Sequence, residues 1–217
     1  MRDALLQNSR AVVTGASSGI GEGIARALAG AGASVIVNYR SGKDAADQVV
    51  ADLRRQGGHA VAVQADVTSP QDCARLFEVA GEELGGVDLL VANAGIQLDA
   101  PFAEMKLEDW KKVIDVNLTG QFVCAQEVVR CFRRQGPDPA RSPALGKIIF
   151  TSSVHQAIPW AGHVNYSASK GGLKLLMESM AQELAAEKIR VNAIAPGAIR
   201  TAINEDSWNT PDAEQKL

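Results

Sequence analysis

Residues 11–21 read AVVTGASSGIG and run directly into EGIARALAGAG. An apolar, β-favouring run, a turn holding Gly15, Gly19 and Gly21, and a stretch of helical periodicity predict strand, glycine-rich turn and helix in succession. A turn of this composition lets the backbone come close to a pyrophosphate. The helix behind it presents unpaired N–H groups and the positive end of its dipole to the same point. A tight turn that simply needs small residues has the same composition. The position between a first strand and a first helix favours the nucleotide site, with Ser17, Ser18 and Ile20 completing the loop.

Outward from this stretch, short β-rich runs alternate with longer helical patterns. Strands are predicted at 11–14, 34–38, 60–64, 89–92, 147–152 and 191–195, and helices at 20–31, 44–56, 70–84, 107–134 and 164–188. Strand, helix and strand joined by helix-length crossovers are the pattern of a parallel sheet covered on both faces. The expectation is one α/β domain over residues 1–217, doubly wound. The insert QGPDPARSPALG, residues 135–146, carries three prolines and reads as an exposed loop closing the helix before it.

Composition narrows the partners. The chain has 217 residues, 46% hydrophobic and 22% charged, enough for one sizeable core, and its net charge of −3 gives no basis for nucleic-acid or anionic-membrane binding. No apolar run approaches the ~20 residues that span a bilayer. The opening MRDALLQNSR lacks the basic-then-apolar order of a signal peptide. A cytoplasmic protein is expected. Cys73, Cys124 and Cys131 form no CxxC pair, so reduced thiols and no metal site are expected.

A second stretch carries chemistry. In NYSASKGGL, residues 165–173, Tyr166 and Lys170 stand four residues apart, about one helical turn, and share a face. Ser153 ends the predicted fifth strand, KIIFTSS, thirteen residues before Tyr166. In an open parallel sheet the ligand crevice lies at the carboxyl ends of the strands. A tyrosine with a free pKa near ~10 is a poor acid–base group at neutral pH, and a nearby ammonium favours its phenolate.

The loop TGASSGIG, followed in order by Asn117 in DVNLTG, then Ser153, Tyr166 and Lys170, resembles the short-chain dehydrogenase/reductase family with its Asn-Ser-Tyr-Lys tetrad. The glycine spacing is G-x-x-x-G-x-G, not the G-x-G-x-x-G of other dinucleotide sites. The resemblance implies a Rossmann fold and hydride transfer between a nicotinamide cofactor and an alcohol or carbonyl. Tyr166 would be the acid–base, and Lys170 would lower its pKa and hold the nicotinamide ribose. Ser153 would hydrogen-bond the substrate oxygen, and Asn117 would support a water-linked proton path. Tyr39 stands where NAD-preferring relatives carry Asp, and Arg40 after it suits a 2′-phosphate or is a solvated loop charge. NADP is favoured, with NAD as second cofactor.

Asp66 and Val67 match the adenine-binding pair, although a strand-end Asp also serves to cap the next helix. Asn93, Ala94 and Gly95 resemble the family's N-N-A-G turn with Ala92 in place of the first Asn, structural first and cofactor-lining second. Pro196, Gly197, Ile199 and Thr201 resemble the segment that holds the carboxamide. SSVHQAIPW resembles the bacterial glucose dehydrogenase subgroup, which puts His155 near a sugar or related small substrate. Gln97 stands where those relatives carry an acid, which removes a charged acceptor for sugar hydroxyls. Trp160 stacks on a sugar or covers the pocket, and His163 and His59 carry no assigned role.

By resemblance the protein is a homotetramer built on its two long helices, although the Met177, Met180 and Leu184 stripe is equally core. Relatives continue past SWNTPDAEQKL through a further helix and a seventh strand. Residues 198–217 therefore read as the start of a substrate lid, with the C-terminal strand missing. The contrasting expectation is a catalytically silent, truncated nucleotide-binding paralogue.

Overall fold

The strands are apolar runs with almost no polar alternation, as expected of strands buried on both faces. A computed structural model describes residues 5–201. Within that span β1 is Arg10–Val13, β2 Ser34–Tyr39, β3 Ala60–Gln64, β4 Leu89–Ala92, β5 Gly146–Thr151 and β6 Ile189–Ile194. All pairings are parallel, in the order β3-β2-β1-β4-β5-β6. The chain builds outward from β1 to β3, then returns to the other side of β1 with β4. The order therefore reverses between β1 and β4, the place where a doubly wound sheet opens a crevice.

Successive strand residues point to opposite faces. Val12, Ile36, Leu90, Ile148 and Phe150 enter one core, with Leu76 and Phe77 of α3 (Pro70–Leu84), Cys124, Val128 and Phe132 of α5 (Gly120–Gln135) and Leu173 of α6 (Val164–Glu183). Val13, Val35, Val37 and Val91 enter the other, against Ala25 of α1 (Gly19–Gly30) and Val49, Val50 and Leu53 of α2 (Lys43–Arg55). Contact between the layers is close. A Cβ on Gly146 would lie 2.2 Å from the Phe132 ring, so glycine is what lets α5 seat on β5.

The predicted strands at 60–64 and 89–92 match β3 and β4, and the rest are displaced by one or two residues. The helix expected over 107–134 is divided. α4 (Leu107–Ile114) passes through a π-helical turn, Asp115–Thr119, before α5 begins. The π turn widens the helix by one residue and places Asn117 in the interior. The helix expected over 164–188 ends at Glu183, where a 3-10 turn, Ala185–Glu187, leads to Lys188 in the left-handed region, φ 59°. Of the expected lid, 198–217, residues 202–217 lie outside the described residues.

Candidate active site

The carboxyl ends of β1, β4 and β5 open into one cavity of about 400 Å³. At its floor is the glycine-rich loop. Gly15 and Gly19 have positive φ, 62° and 57°, a conformation that glycine adopts without a Cβ penalty. Gly21 is excluded from every other residue type by contact. A Cβ there would stand 2.2 Å from Gly15 O and 2.6 Å from Asn93 Nδ2. Ser17, Ser18 and Ile20 line the cavity with these glycines, and the first turn of α1 points its N–H groups at the loop.

Three side chains hold this loop. Thr14 Oγ1 accepts from Asn93 N at 2.9 Å and Ala94 N at 3.0 Å, and Asn93 Nδ2 donates back to Thr14 O at 3.0 Å. Asn38, buried at the end of β2, accepts from Gly15 N at 3.2 Å and donates to Ala65 O at 3.1 Å. Sequence reading missed Asn38. Its only signal is an amide inside the otherwise apolar SVIVN. Asn93 and Ala94 thus brace the loop, and both line the cavity together with Gly95.

Beyond the end of β2 the cavity is lined by Tyr39, nearly buried, and Arg40, exposed, and beyond the neighbouring β3 by Asp66 and Val67. Asp66 is not the helix cap: Ser69 accepts from Asp72 N at 3.2 Å and caps α3. Asp66 instead accepts from Thr68 N and Oγ1 at 2.9 and 2.8 Å, all through Oδ1. Pro196, Gly197, Ile199 and Thr201, beyond the end of β6, form a further wall. That wall is anchored where Val154 N donates to Pro196 O at 3.0 Å.

Ser153, Tyr166 and Lys170 converge in the same cavity. Ser153 Oγ accepts from His155 N at 3.2 Å, and its hydroxyl is the influence that draws the Tyr166 phenol downward. Lys170 Nζ lies 5.5 Å from the Tyr166 ring centroid and donates to Thr151 O at 2.8 Å. Burial pulls the Lys170 ammonium down to about 8. Burial also raises the Tyr166 phenol above its ordinary range; the Ser153 hydrogen bond offsets part of this, and the charge of Asp99 adds to it. In the protein alone desolvation is therefore the largest influence on the phenol, and Ser153 is the group that draws it downward.

Asn117 does not line the cavity. Its buried amide clamps the loop after β4, Nδ2 donating to Ile96 O at 2.9 Å and Oδ1 accepting from Ile96 N at 2.8 Å. At the remaining end are Gln97, His155 and Trp160. The His155 ring is 5.1 Å from Trp160 and edge-on to Tyr166 at 6.2 Å. Two neighbours were missed. Asp99 lies two residues after Gln97 and accepts from its Nε2 at 2.7 Å, and His163 lies three before Tyr166. An acid is therefore present near this end although Gln97 itself is neutral.

Among the described residues no cluster of three His, Cys, Asp or Glu side chains could hold a metal ion, and no helix is long and apolar enough to cross a membrane. Cys73 and Cys124 sulfurs lie 3.5 Å apart in the core as free thiols.

The family model described as short chain dehydrogenase matches residues 9–212. The chain is 42% identical over 209 residues to 3beta-hydroxysteroid dehydrogenase 1 of Eggerthella lenta, covering 96% of this chain and 77% of that protein. It is 39% identical over 213 residues to glucose 1-dehydrogenase 2 of Bacillus subtilis, covering 98% of this chain and 80% of that one. The crystal structure of a gluconate 5-dehydrogenase from Burkholderia cenocepacia in complex with NADP and tartrate superimposes with a TM-score of 0.89 at 31% identity, over 99% of this chain and 80% of that one. With a match that extends over nearly all of the sequence, this chain belongs to the short-chain dehydrogenase family.

Proposed function

We propose that this family member is an NAD(P)-dependent oxidoreductase that interconverts an alcohol and a carbonyl in the cavity at the strand ends, with NADP(H) preferred over NAD(H). One observation carries the reading: Ser153, Tyr166 and Lys170 meet in the same cavity as a glycine loop in which Gly21 has no room for a Cβ. The cradle fits a dinucleotide, since its glycines leave space for a pyrophosphate and its helix N-terminus supplies N–H donors.

When bound, the nicotinamide supplies or accepts the hydride. Gly15, Ser17, Ser18, Gly19, Ile20 and Gly21 would hold the pyrophosphate, and Arg40, beside Tyr39, the 2′-phosphate. Asp66 and Val67 would hold the adenine, and Pro196, Gly197, Ile199 and Thr201 the carboxamide. Asn93 and Ala94 brace the floor, which Gly95 also lines. Tyr166 gives its proton to the substrate oxygen in reduction and takes it in oxidation. Ser153, whose Oγ accepts from His155 N, keeps its own proton to donate to that oxygen and stabilise developing charge there. Lys170, buried and charged at neutral pH, favours the phenolate and binds the ribose. Asn117 acts through Ile96 by fixing the loop that floors the substrate end.

The substrate is a small alcohol, sugar or carbonyl compound contacted by Gln97 and His155. The names of the relatives above support hydroxyl-bearing substrates of this class. A cytoplasmic homotetramer is part of the same reading. Phe122 on α5 and Leu175 on α6 are 44% and 64% exposed, apolar positions on the helices assigned to the interface.

Following the nicotinamide absorbance with NADP and a panel of sugars, alcohols and ketones tests the activity. Tyr166→Phe is expected to lower kcat by about a thousandfold while NADPH binding stays within about twofold. Retained turnover in Tyr166→Phe would refute the role of the phenol.

A further inference from the structure

The loop after β4 is tied to the approach of α6 by contacts that involve no charge. Ala100 N donates to Gly162 O at 3.0 Å, and the buried amide of Asn165 donates to Leu98 O at 2.7 Å. On this scaffold Asp99 stands between two side chains. Its Oδ2 accepts from Gln97 Nε2 at 2.7 Å. Its Oδ1 is 2.7 Å from His163 Nδ1, at ion-pair range but out of line for a hydrogen bond. The mostly buried imidazole of His163 packs edge-on against Trp160, centroids 4.3 Å apart. Gln97 and Trp160 line the cavity, whereas Asp99 and His163 do not.

The geometry points to Asp99 and His163 as positioning residues that fix the Gln97 amide for a neutral substrate bearing further hydroxyls near its reacting carbon. An ionised carboxylate only accepts hydrogen bonds, so it selects an N–H of Gln97. Turning that amide over would set Oε1 against the carboxylate, replacing a charge-assisted hydrogen bond by repulsion between oxygens. Held this way, Gln97 keeps Oε1 and its second N–H without a partner among the described residues. A hydroxyl is both donor and acceptor and matches that pair; a plain alkyl group leaves both unmet. His163, at the N-cap of α6 and three residues before Tyr166, sets its imidazole beside the carboxylate and so places Asp99 against the helix that carries the acid–base. Because the backbone contacts hold the loop without it, the charge at Asp99 serves side-chain orientation rather than folding.

This inference rests on the alcohol–carbonyl activity proposed above, and the test separates the two. The readout is the ratio of kcat/KM for glucose to that for cyclohexanol with NADP, in which any loss common to both substrates cancels. Quenching of tryptophan fluorescence by NADPH reports an intact fold. Asp99→Asn and Gln97→Glu are each expected to lower the ratio about tenfold, the first by releasing the amide and the second by opposing two carboxylates. The combined Gln97→Glu, Asp99→Asn protein restores the pair at position 99 but presents only carboxylate oxygens to the substrate, so its ratio is expected to stay about tenfold low. His163→Phe, which keeps the packing on Trp160, is expected to lower the ratio in the same direction.

Equal loss on both substrates, or full recovery in the combined variant, overturns the proposal. Wild-type protein that oxidises cyclohexanol but not glucose overturns it while leaving hydride transfer standing. Wild-type protein that binds NADPH but oxidises neither overturns the activity as well.

Discussion

A methyl group at position 21 has nowhere to go, because Gly15 O and the Asn93 amide already occupy the space 2.2 and 2.6 Å from its site. Both neighbours are held by other hydrogen bonds, so neither yields cheaply. Gly21→Ala is expected to weaken NADPH binding by at least about tenfold and to lower the melting temperature, measured by fluorescence titration and calorimetry. Lys170 makes a different prediction. Its native pKa, about 8, is below the ordinary 10.5. Between those values the unfolded chain binds a proton that the native protein has lost, so stability rises with pH from about 8.

The raised thiols of Cys124 and Cys131 act with the opposite sign, but only above their ordinary value of 9.0, and the raised Tyr166 only above 10.0. Urea unfolding at pH 8 and pH 9 should therefore show a gain on the order of 1 kcal/mol, absent in Lys170→Met. Single residues also show what sequence reading reaches. The Tyr166–Lys170 pair is legible because one turn of one helix sets it. Asn38 and the Asp99–His163 contact are not, since Asn38 meets Gly15 and Asp99 meets His163 only through the fold, which no local periodicity reveals.

At the scale of elements, apolar runs such as SVIV and LLVA located the strands because burial on both faces leaves no alternation to misread. Ends shifted where a polar residue still pairs, as Tyr39 does with Gln64 at the end of β2. The π turn at Asp115–Thr119 was invisible for a related reason: the apolar pattern of 107–134 runs through it, and one extra residue per turn leaves no mark on composition. Two adjacent glycines of α6 differ in their surroundings: a Cβ on Gly172 would lie 2.9 Å from Leu118 Cδ2, whereas one on Gly171 would meet nothing nearer than 3.9 Å. Gly171→Ala is thus expected to stabilise the protein by about 0.5–1 kcal/mol, and Gly172→Ala to lose that gain to the shift it forces on Leu118, read by urea midpoints. Ser69→Ala, which removes the α3 cap, is expected to cost about 1 kcal/mol by the same measurement.

Over the whole molecule, the reversal of strand order between β1 and β4 separates two tasks. The β2–β3 side carries the residues assigned to the adenosine end, and the β4–β5 side carries those assigned to chemistry. Substitutions on one side should therefore spare the other. Arg40→Ala is expected to raise KM for NADPH about tenfold with KM for NADH and kcat changed by less than about twofold, measured with one saturating carbonyl substrate.

Thr14 joins the two sides, its hydroxyl oxygen bound by the amides of Asn93 and Ala94 beyond the last residue of β4. Deuterium uptake should follow from this. These loop amides should exchange on the slow timescale of the central strands, and Thr14→Val should let them exchange as fast as an ordinary exposed turn while β1 and β4 stay protected.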